Sequence, residues 1–134
     1  MVEARNGIPV GIATDAANVS ETALGPAAVV MMAVKCPPGL VALLADKAYD
    51  CDWLRIHLRK LGFLLIAPHR SNRVKKSMND GRRLRRYKRR WKVERTFAWL
   101  HSYRRVVTRY EKDIHRYDGF VHLACTFIAI GNLI

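Results

Sequence analysis

Two short runs of apolar residues, separated by one amphipathic stretch, constrain the fold of this chain more than any other feature. Residues 40–45 form a continuous apolar run that ends at Asp46, and residues 63–67 form a second run. Runs of this length without polar alternation are typical of strands buried on both faces, as in a parallel or mixed sheet. Between them, residues 51–60 have the periodicity of a helix, and Gly62 follows as a stop signal. The order strand, helix, strand predicts an α/β fold.

The N-terminal residues are expected to add a hairpin and a helix. Residues 2–13 should form a β-hairpin, because Asn6-Gly7 is the dipeptide that best accepts the positive φ angles of a type I′ turn. A helix should follow and continue to residue 34, with Pro26 in its first turn, where its missing N–H costs least. This part of the chain therefore precedes the strand–helix–strand unit with elements of its own.

The C-terminal half is predicted to be helical. Beyond a polar and basic segment at residues 71–81, we expect a long helix over about residues 82–107 and a last helix over about residues 117–133. No stretch has the composition of a linker. The sequence therefore predicts a single domain over residues 1–134, with a layered sheet flanked by helices and a C-terminal helical pair.

The charge of the chain indicates a polyanionic partner. The 134 residues include 24 Lys and Arg against 11 Asp and Glu, a formal net charge of +13. Seventeen of the basic residues but only three acids lie in residues 69–112, so this segment carries the excess. A basic surface attracts phosphates and releases their counterions on binding, which makes nucleic acid the first candidate. A solvated basic helix, or a nuclear or ribosomal tail, has the same composition.

Cysteine usage and hydropathy bear on the compartment. Cys36, Cys51 and Cys125 are far apart and odd in number, which is typical of small core residues in a cytosolic protein rather than of disulfides or zinc ligands. The N-terminus has no apolar segment of the kind that a signal peptide contains. The apolar run at residues 120–134 is shorter than the ~20 residues that a membrane span needs. We therefore expect a cytoplasmic protein with no membrane partner.

Asp46 is the first candidate for chemistry. It lies where the first apolar run gives way to a loop, and open α/β sheets place ligand-binding groups at this end of their strands. A carboxylate at this position reaches a metal while the core holds its strand in place. The competing interpretation is local, because Asp46 or Asp50 also suits the cap of the next helix.

Glu94 is the second candidate. It is the only acid between residues 80 and 111. At ~100° per helical residue it falls within the same ~60° arc as Tyr87, Arg90 and His101. The apolar residues of this stretch lie on a different side, ~110° away. The competing interpretation is an ordinary ion pair between Arg90 and Glu94, worth ~0.3–0.5 kcal/mol.

Taken together, the two carboxylates indicate a site for Mg²⁺ or Mn²⁺. Hard divalent cations take carboxylate oxygens and keep several waters, so few protein ligands suffice. Two such cations about 4 Å apart can activate an attacking oxygen and stabilise a leaving oxygen in phosphodiester transfer. Trp91 and Trp99 are candidates for stacking on splayed bases, although Trp at helical spacing is also a common core residue.

Two motifs of the chain resemble those of one family. The spacing Tyr87-x2-Arg90-x3-Glu94-x6-His101 is similar to the Y-x2-R-x3-E-x6-K signature of insertion-sequence DDE transposases of the four/five type. Residues 44–50, L-A-D-K-A-Y-D, resemble the A-D-K-G-Y-D that surrounds the second catalytic Asp of that family. The stretch around the third acid and the closing helix are also similar. The resemblance covers nearly the whole chain, with two separate motifs in the family's order.

The resemblance implies an RNase H-like fold in which three carboxylates bind Mg²⁺ for DNA strand cleavage and strand transfer. By this resemblance Asp46 is the second catalytic, metal-binding acid and Glu94 is the third. Tyr87 and Arg90 would align the donor DNA. Other basic side chains would hold the DNA backbone without reading sequence, and they are His101, Arg86, Lys88, Arg89, Arg95, Arg104 and Arg105.

The chain departs from the family pattern in three places. His101 stands where the family usually has Lys, and residues 20–22 are Ser-Glu-Thr where the family has H-D-S. The family's first Asp should lie on a strand upstream of the hairpin of residues 2–13, and the chain lacks this first catalytic strand. Asp15 lies on the wrong side of the hairpin to replace it. We therefore expect a C-terminal portion of the catalytic domain that is inactive alone.

The resemblance also implies partners. DNA is expected as both the element ends and the target, in an oligomeric complex at the bacterial nucleoid. An upstream-encoded N-terminal half or an intact transposase would supply what the chain lacks. Two other functions fit the same residues: a non-catalytic basic protein that binds nucleic acid, and a fragment that pairs with intact transposase and blocks its assembly.

Overall fold

The computed structural model describes residues 1–4, 6–16, 18–74 and 81–132. Within these ranges the chain is a mixture of helices and short strands. Two 3-10 turns, Lys47–Tyr49 and Arg85–Arg89, lie just before the second and the fourth α-helix. The elements in chain order are β1 (Val2–Glu3), β2 (Pro9–Gly11), α1 (Glu21–Val30), β3 (Val41–Leu44), α2 (Asp52–Lys60), β4 (Phe63–Ile66), α3 (Gly81–Leu84), α4 (Trp91–Leu100), α5 (Arg104–Val107) and α6 (Ile114–Gly131).

The predicted strand–helix–strand unit is confirmed. β3 and β4 pair in parallel over four residues, from Val41 opposite Phe63 to Leu44 opposite Ile66. The connecting helix α2 buries Leu54 and Leu58 on the side of the strands, as an amphipathic crossover helix must. This unit fixes the end of β3, from which Asp46 projects.

A layered sheet is not formed by the residues that the structure describes, which contain two separate two-stranded sheets, β1-β2 and β3-β4. The expectation that both apolar runs are buried on both faces is wrong for β3. All four of its residues are only half-buried, whereas three of the four residues of β4 are buried. Among the described residues both strands have a partner along one edge only, but Phe63 and Leu65 of β4 lie within a buried hydrophobic cluster, whereas Val41 and Leu43 of β3 pack only against its edge.

The N-terminal hairpin is present, but its turn is not of type I′. A type I′ turn needs positive φ at both Asn6 and Gly7, and only the glycine has it, at +87°. Instead the amide of Gly7 donates to the carbonyl of Ala4 at 2.9 Å, and the amide of Ala4 donates to that of Ile8 at 2.8 Å. This pattern is a three-residue connection. The hydroxyl of Thr96 donates to the carbonyl of Gly7 at 2.7 Å, so α4 holds the turn in place.

Helix α1 ends earlier than expected and contains a proline. It stops at Val30 rather than at residue 34, and Pro26 lies in its middle instead of its first turn. Ser20 occupies the cap position, but its hydroxyl pairs with that of Thr22 rather than capping the backbone. The buried residues Ala28 and Val29 follow the proline, so packing against the core holds the second half of the helix.

The long helix expected over residues 82–107 is divided into three helices and a 3-10 turn. The turn falls in a run of Arg and Lys without acids, where like charges at i and i+4 disfavour the α-helix. Helix α4 ends at Leu100, and the hydroxyl of Ser102 donates to the carbonyl of Trp99 at 2.7 Å just beyond it. The segment from Arg82 to Val107 therefore bends around its helices instead of forming one rod.

The last helix begins three residues earlier than expected. The carboxylate of Asp113 accepts from the amide of His115 at 2.9 Å and so caps α6 at Ile114. The expected end near residue 133 lies outside the described residues, and so do residues 75–80 of the polar segment. No helix in the described part of the chain has the length and apolar character to cross a membrane.

Two buried clusters hold these elements together, and the hairpin contributes to both. The first lies under the strand–helix–strand unit and includes Val2, while the second joins α4 and α6 and includes Ile12. Cys125 is buried in the second cluster, and burial raises the pKa of its thiol to about 11. Cys36, by contrast, is exposed, so the expectation that all three cysteines are core residues is wrong.

Candidate active site

Asp46 lies two residues after the end of β3 and takes part in two interactions. One carboxylate oxygen, Oδ1, accepts from the amide of Lys47 and caps the 3-10 turn. The other, Oδ2, lies 3.1 Å from Nη1 of Arg90. The capping interpretation is therefore confirmed for Asp46, and a second contact joins the end of β3 to the segment that carries Glu94.

Arg90 brings the two candidate carboxylates together. Its Nη1 lies 3.1 Å from Oδ2 of Asp46, and its Nη2 lies 3.0 Å from Oε1 of Glu94. Because each of these oxygens is in ion-pair contact with a nitrogen of the same guanidinium, they lie within about 10 Å of each other. The two residues are 48 positions apart in the sequence, so this proximity is a product of the fold.

Tyr87 completes this cluster. Nη1 of Arg90 donates to the phenolic oxygen of Tyr87 at 2.5 Å, and the guanidinium lies 5.5 Å from the centroid of its ring. Hydrogen bonds to Glu94 and then to Tyr87, together with the charge of Asp46, raise the pKa of the Arg90 guanidinium. We call these four residues, Asp46, Tyr87, Arg90 and Glu94, the Arg90 cluster.

Local geometry explains why the predicted spacing works for three of its four residues. In the 3-10 turn, residues three apart lie on the same side, which places Tyr87 beside Arg90. In the α-helix that follows, residues four apart are neighbours, which places Glu94 beside Arg90. His101 makes none of the contacts that join this cluster, because it is the C-cap of α4, seven residues beyond Glu94 and about 10 Å farther along the helix axis. It lines a different groove of about 270 Å³ between α4 and α6.

The donors of the Arg90 cluster suit a hard divalent cation, but their number is small. Carboxylate oxygens are the ligands that Mg²⁺ and Mn²⁺ prefer. Asp46 and Glu94 supply two such groups, both open to solvent, with side chains 45% and 64% exposed. Among the residues that the structure describes, no group of three His, Cys, Asp or Glu is placed to hold a metal ion.

The basic residues expected to contact DNA fall into two groups. The first is on the surface: Arg86, Lys88 and Arg89 are exposed on the 3-10 turn directly before Arg90, and Arg104 is exposed on α5. The second group makes contacts within the protein.

Arg95 and Arg105 form this second group. The guanidinium of Arg95 lies between the rings of Trp91 and Trp99, 5.2 and 4.6 Å from their centroids, and donates to the carbonyl of Asn6 at 2.8 Å. Arg105 pairs with the buried carboxylate of Glu111 at 2.8 Å. Trp99 packs against the second buried cluster, whereas Trp91 is half exposed.

The sequence did not reveal the role of Asp50. Its side chain is 1% exposed and accepts from Arg55 at 2.8 Å and from Arg73 at 3.2 Å. The ring of His69 lies at 3.0 Å, and the backbone amide of Arg70 donates at 2.9 Å. We call these five residues the Asp50 cluster. The expectation that Asp50 caps α2 is wrong, because Cys51 occupies the cap position.

The protonation of Asp50 reflects these contacts. Burial alone would raise the pKa of its carboxyl, but the hydrogen bonds from Arg55, the Arg70 amide and His69 outweigh it and lower the pKa to about 2. Asp50 closes the L-A-D-K-A-Y-D motif. Its partners come from α2 and from beyond β4, so only the motif itself could have marked it.

The Asp50 cluster also fixes the turn that carries Asp46. The guanidinium of Arg70 donates to the carbonyl of Lys47 at 3.2 Å and to that of Ala48. Because Asp50 holds the backbone amide of Arg70, the buried cluster and the turn after Asp46 are mechanically connected. The position of the first candidate carboxylate therefore depends on a residue 24 positions downstream.

Comparison with known proteins gives the same family as the motifs. A family model described as the transposase DDE domain matches residues 1–127. The putative transposase for insertion sequence element IS402 of Burkholderia cepacia is 35% identical over 89 residues, which are 66% of this chain and 38% of that protein. The putative transposase for insertion sequence element IS6501 of Brucella ovis is 36% identical over 94 residues, 67% of this chain and 68% of that protein.

The matched stretch is thus well under half the length of the first relative and about two thirds of the second. No solved structure matches the chain significantly. The family model covers nearly all of the chain, including both carboxylates of the Arg90 cluster. On these grounds the chain belongs to the transposase DDE domain family.

Proposed function

We propose that this chain is the part of an insertion-sequence transposase that supplies the second and third metal-binding carboxylates, Asp46 and Glu94, for DNA strand cleavage and strand transfer. The observation that carries the proposal is the position of Arg90, whose single guanidinium forms ion pairs with both carboxylates. Residues from two distant parts of the chain are thereby brought to one exposed place beside the most basic segment.

Each residue of the site has a role in this proposal. Asp46 and Glu94 hold a divalent cation, Mg²⁺ or Mn²⁺, which polarises the scissile phosphate and activates the attacking oxygen when it is bound. Tyr87 and Arg90 hold a phosphate of the donor strand. The exposed basic side chains neutralise the DNA backbone on either side, and they are Arg86, Lys88, Arg89 and Arg104, with His101 and the partly engaged Arg95 and Arg105.

The third carboxylate comes, in this proposal, on a strand outside residues 1–134. Such a strand has a place to pair, because β3 is bonded to β4 along one edge and is half-buried throughout its length in the described chain. Its addition would extend the two small sheets into the layered, RNase H-like sheet of a single catalytic domain. In this proposal Asp46 and Glu94 together hold one cation, and strand transfer requires the third carboxylate as well.

The test is complementation. The chain is mixed with an N-terminal half of a related transposase and DNA carrying element ends, and strand transfer is measured with Mg²⁺. The wild-type chain is expected to restore strand transfer, and Glu94→Gln to abolish it while still binding DNA. The control Arg116→Gln removes one charge from an exposed side chain on α6 that belongs to neither cluster. Strand transfer by Glu94→Gln at the wild-type rate would contradict the proposal.

A non-catalytic nucleic-acid-binding role is the second candidate, favoured by the exposed basic residues on the 3-10 turn. It predicts that Glu94→Gln binds nucleic acid as well as the wild type or better, because a negative charge is removed, and that Mg²⁺ has no effect. A third possibility, that the chain is a fragment that inhibits intact transposase, is distinguished from these two by a different assay. Added to an active transposase of the family, it should reduce transposition in proportion to its concentration.

A further inference from the structure

We propose that Arg90 couples DNA binding to cation binding. Its guanidinium occupies the carboxylates of Asp46 and Glu94, and a DNA phosphate that draws it away releases both for a divalent cation. The inference rests on the proposed function and deepens it, because it gives Arg90 a task at the cation site in addition to holding DNA.

The carboxylate oxygens show that a cation and Arg90 compete. Oδ1 of Asp46 accepts from the amide of Lys47, which leaves Oδ2 as the oxygen that faces the site. Oδ2 is the oxygen that Nη1 of Arg90 holds at 3.1 Å. On the opposite side, Nη2 holds Oε1 of Glu94 at 3.0 Å. A cation that binds both carboxylates through these oxygens must therefore displace the guanidinium.

The guanidinium is free to leave. Its side chain is 36% exposed, and partly solvated ion pairs of this kind are individually weak. A phosphate offers two oxygens to the fork of a guanidinium, which makes it a strong competitor for the carboxylates. Nη1 of Arg90 also donates to the phenolic oxygen of Tyr87, and this hydrogen bond must be exchanged for the phosphate when Arg90 moves.

The basic residues around Arg90 attract DNA phosphates to within reach of its guanidinium. Arg86, Lys88 and Arg89 are exposed on the 3-10 turn that leads into Arg90, so the DNA backbone is concentrated at this end of α4. The cluster itself keeps two acids against one arginine. Once Arg90 turns to a phosphate, the two carboxylates face each other without a counter-ion and attract a divalent cation.

Linkage makes the coupling reciprocal. If DNA tightens cation binding by a given factor, the cation tightens DNA binding by the same factor. The site would then favour its cation when the substrate is present, and the coupling would be carried by one side chain.

Titration of the chain with Mn²⁺, followed by electron paramagnetic resonance of the free ion, measures the coupling directly. Wild type, Arg90→Gln, Arg90→Lys and the charge-matched control Arg116→Gln are titrated at constant ionic strength, with and without a short DNA duplex. Without DNA, Arg90→Gln should bind Mn²⁺ at least about fivefold more tightly than wild type. Arg90→Lys should fall between them, because an ammonium does not span both carboxylates. The Arg116→Gln control should match the wild type.

Addition of the duplex should tighten Mn²⁺ binding to the wild type by a similar factor and leave Arg90→Gln unchanged. One outcome would overturn the coupling and leave the proposed function standing. In it, Asp46→Asn or Glu94→Gln abolishes Mn²⁺ binding, but Arg90→Gln does not tighten it. Mn²⁺ binding that is absent from every variant, or indifferent to both carboxylates, would overturn the two together. Thermal unfolding of each variant checks that it is folded.

Discussion

Two aspartates only four positions apart, Asp46 and Asp50, belong to ionic clusters of opposite character. Asp50 is almost fully buried, with a side chain 1% exposed, and one carboxylate is surrounded by two arginines, a histidine and a backbone amide. Asp46 is 45% exposed, and there one arginine is shared between two carboxylates. The first cluster has more donors than its acid needs, and the second has more acid than its arginine neutralises.

This difference separates structure from function. A buried carboxylate costs several kcal/mol of desolvation, so it persists only when saturated by donors, as Asp50 is. An exposed pair of carboxylates costs little to keep and retains a negative charge, which suits it to bind a cation. The two clusters are joined through Arg70, which takes its backbone position from Asp50 and holds the turn after Asp46.

The largest expected effect is on stability, at Asp50. Asp50→Asn removes the buried negative charge that pairs with Arg55 and Arg73 and should lower the free energy of unfolding by ~3 kcal/mol. The same change at Asp46 should cost less than ~1 kcal/mol, because the amide retains an oxygen for the cap and the lost ion pair is exposed. Denaturant unfolding of both variants measures the two values. Equal losses of unfolding free energy in the two variants would contradict the distinction between a structural Asp50 cluster and a functional Arg90 cluster.

The second prediction concerns the loss of stability at low pH. The pKa of Asp50 is lowered to about 2 from the ordinary 3.8. Its contribution is therefore fully present above pH ~4 and is lost as the pH falls toward 2, and the shift corresponds to roughly 2 kcal/mol. Wild type should lose this stability between pH 4 and 2, and Asp50→Asn should show a shallower slope over the same window. Parallel pH profiles would show that Asp50 is not the group responsible.

The third prediction tests the connection between the clusters. Arg70→Ala removes the hydrogen bonds to the carbonyls of Lys47 and Ala48 and should cost ~1 kcal/mol. Its more telling effect should be local: amide hydrogen exchange should become faster at residues 47–49. Arg59→Ala, at an exposed arginine of α2, is the control and should leave that exchange unchanged. Exchange that is equally slow in Arg70→Ala would mean that β3 alone fixes the turn.

The smallest expected effect on stability is at Glu94. Glu94→Gln removes one exposed i, i+4 ion pair and should change the free energy of unfolding by no more than ~0.5 kcal/mol. A loss above ~2 kcal/mol would exceed what an exposed ion pair contributes and would show that Glu94 is a structural residue.

Features that depend on neighbours in sequence could be predicted. The apolar runs and the periodicity between them gave the strand–helix–strand unit, and the spacing of Tyr87, Arg90 and Glu94 gave their contacts. These predictions succeed because β-strand and helix geometry are set within a few residues. His101 keeps helical dihedrals at the C-cap of α4, but it lies seven residues beyond Glu94, and an axial rise of ~1.5 Å per residue places it about 10 Å farther along the helix.

Features that depend on distant residues could not be predicted. Asp50 was expected to be a cap, since a lone Asp before a helix usually is one, and its donors Arg55, His69 and Arg73 form no local pattern with it. The contact between Asp46 and Arg90 likewise crosses 44 positions. The predicted type I′ turn at Asn6-Gly7 was wrong for a similar reason. The hydroxyl of Thr96, on the distant helix α4, hydrogen-bonds to the carbonyl of Gly7.

The central claim is that Asp46 and Glu94 hold one divalent cation together, and a double-mutant cycle of Mn²⁺ affinity tests it most directly. Wild type, Asp46→Asn, Glu94→Gln and the double variant are titrated side by side. If the carboxylates share a cation, each single substitution should remove most of the affinity and the double variant should lose little more. Losses that add independently, or affinity that survives both substitutions, would contradict the claim.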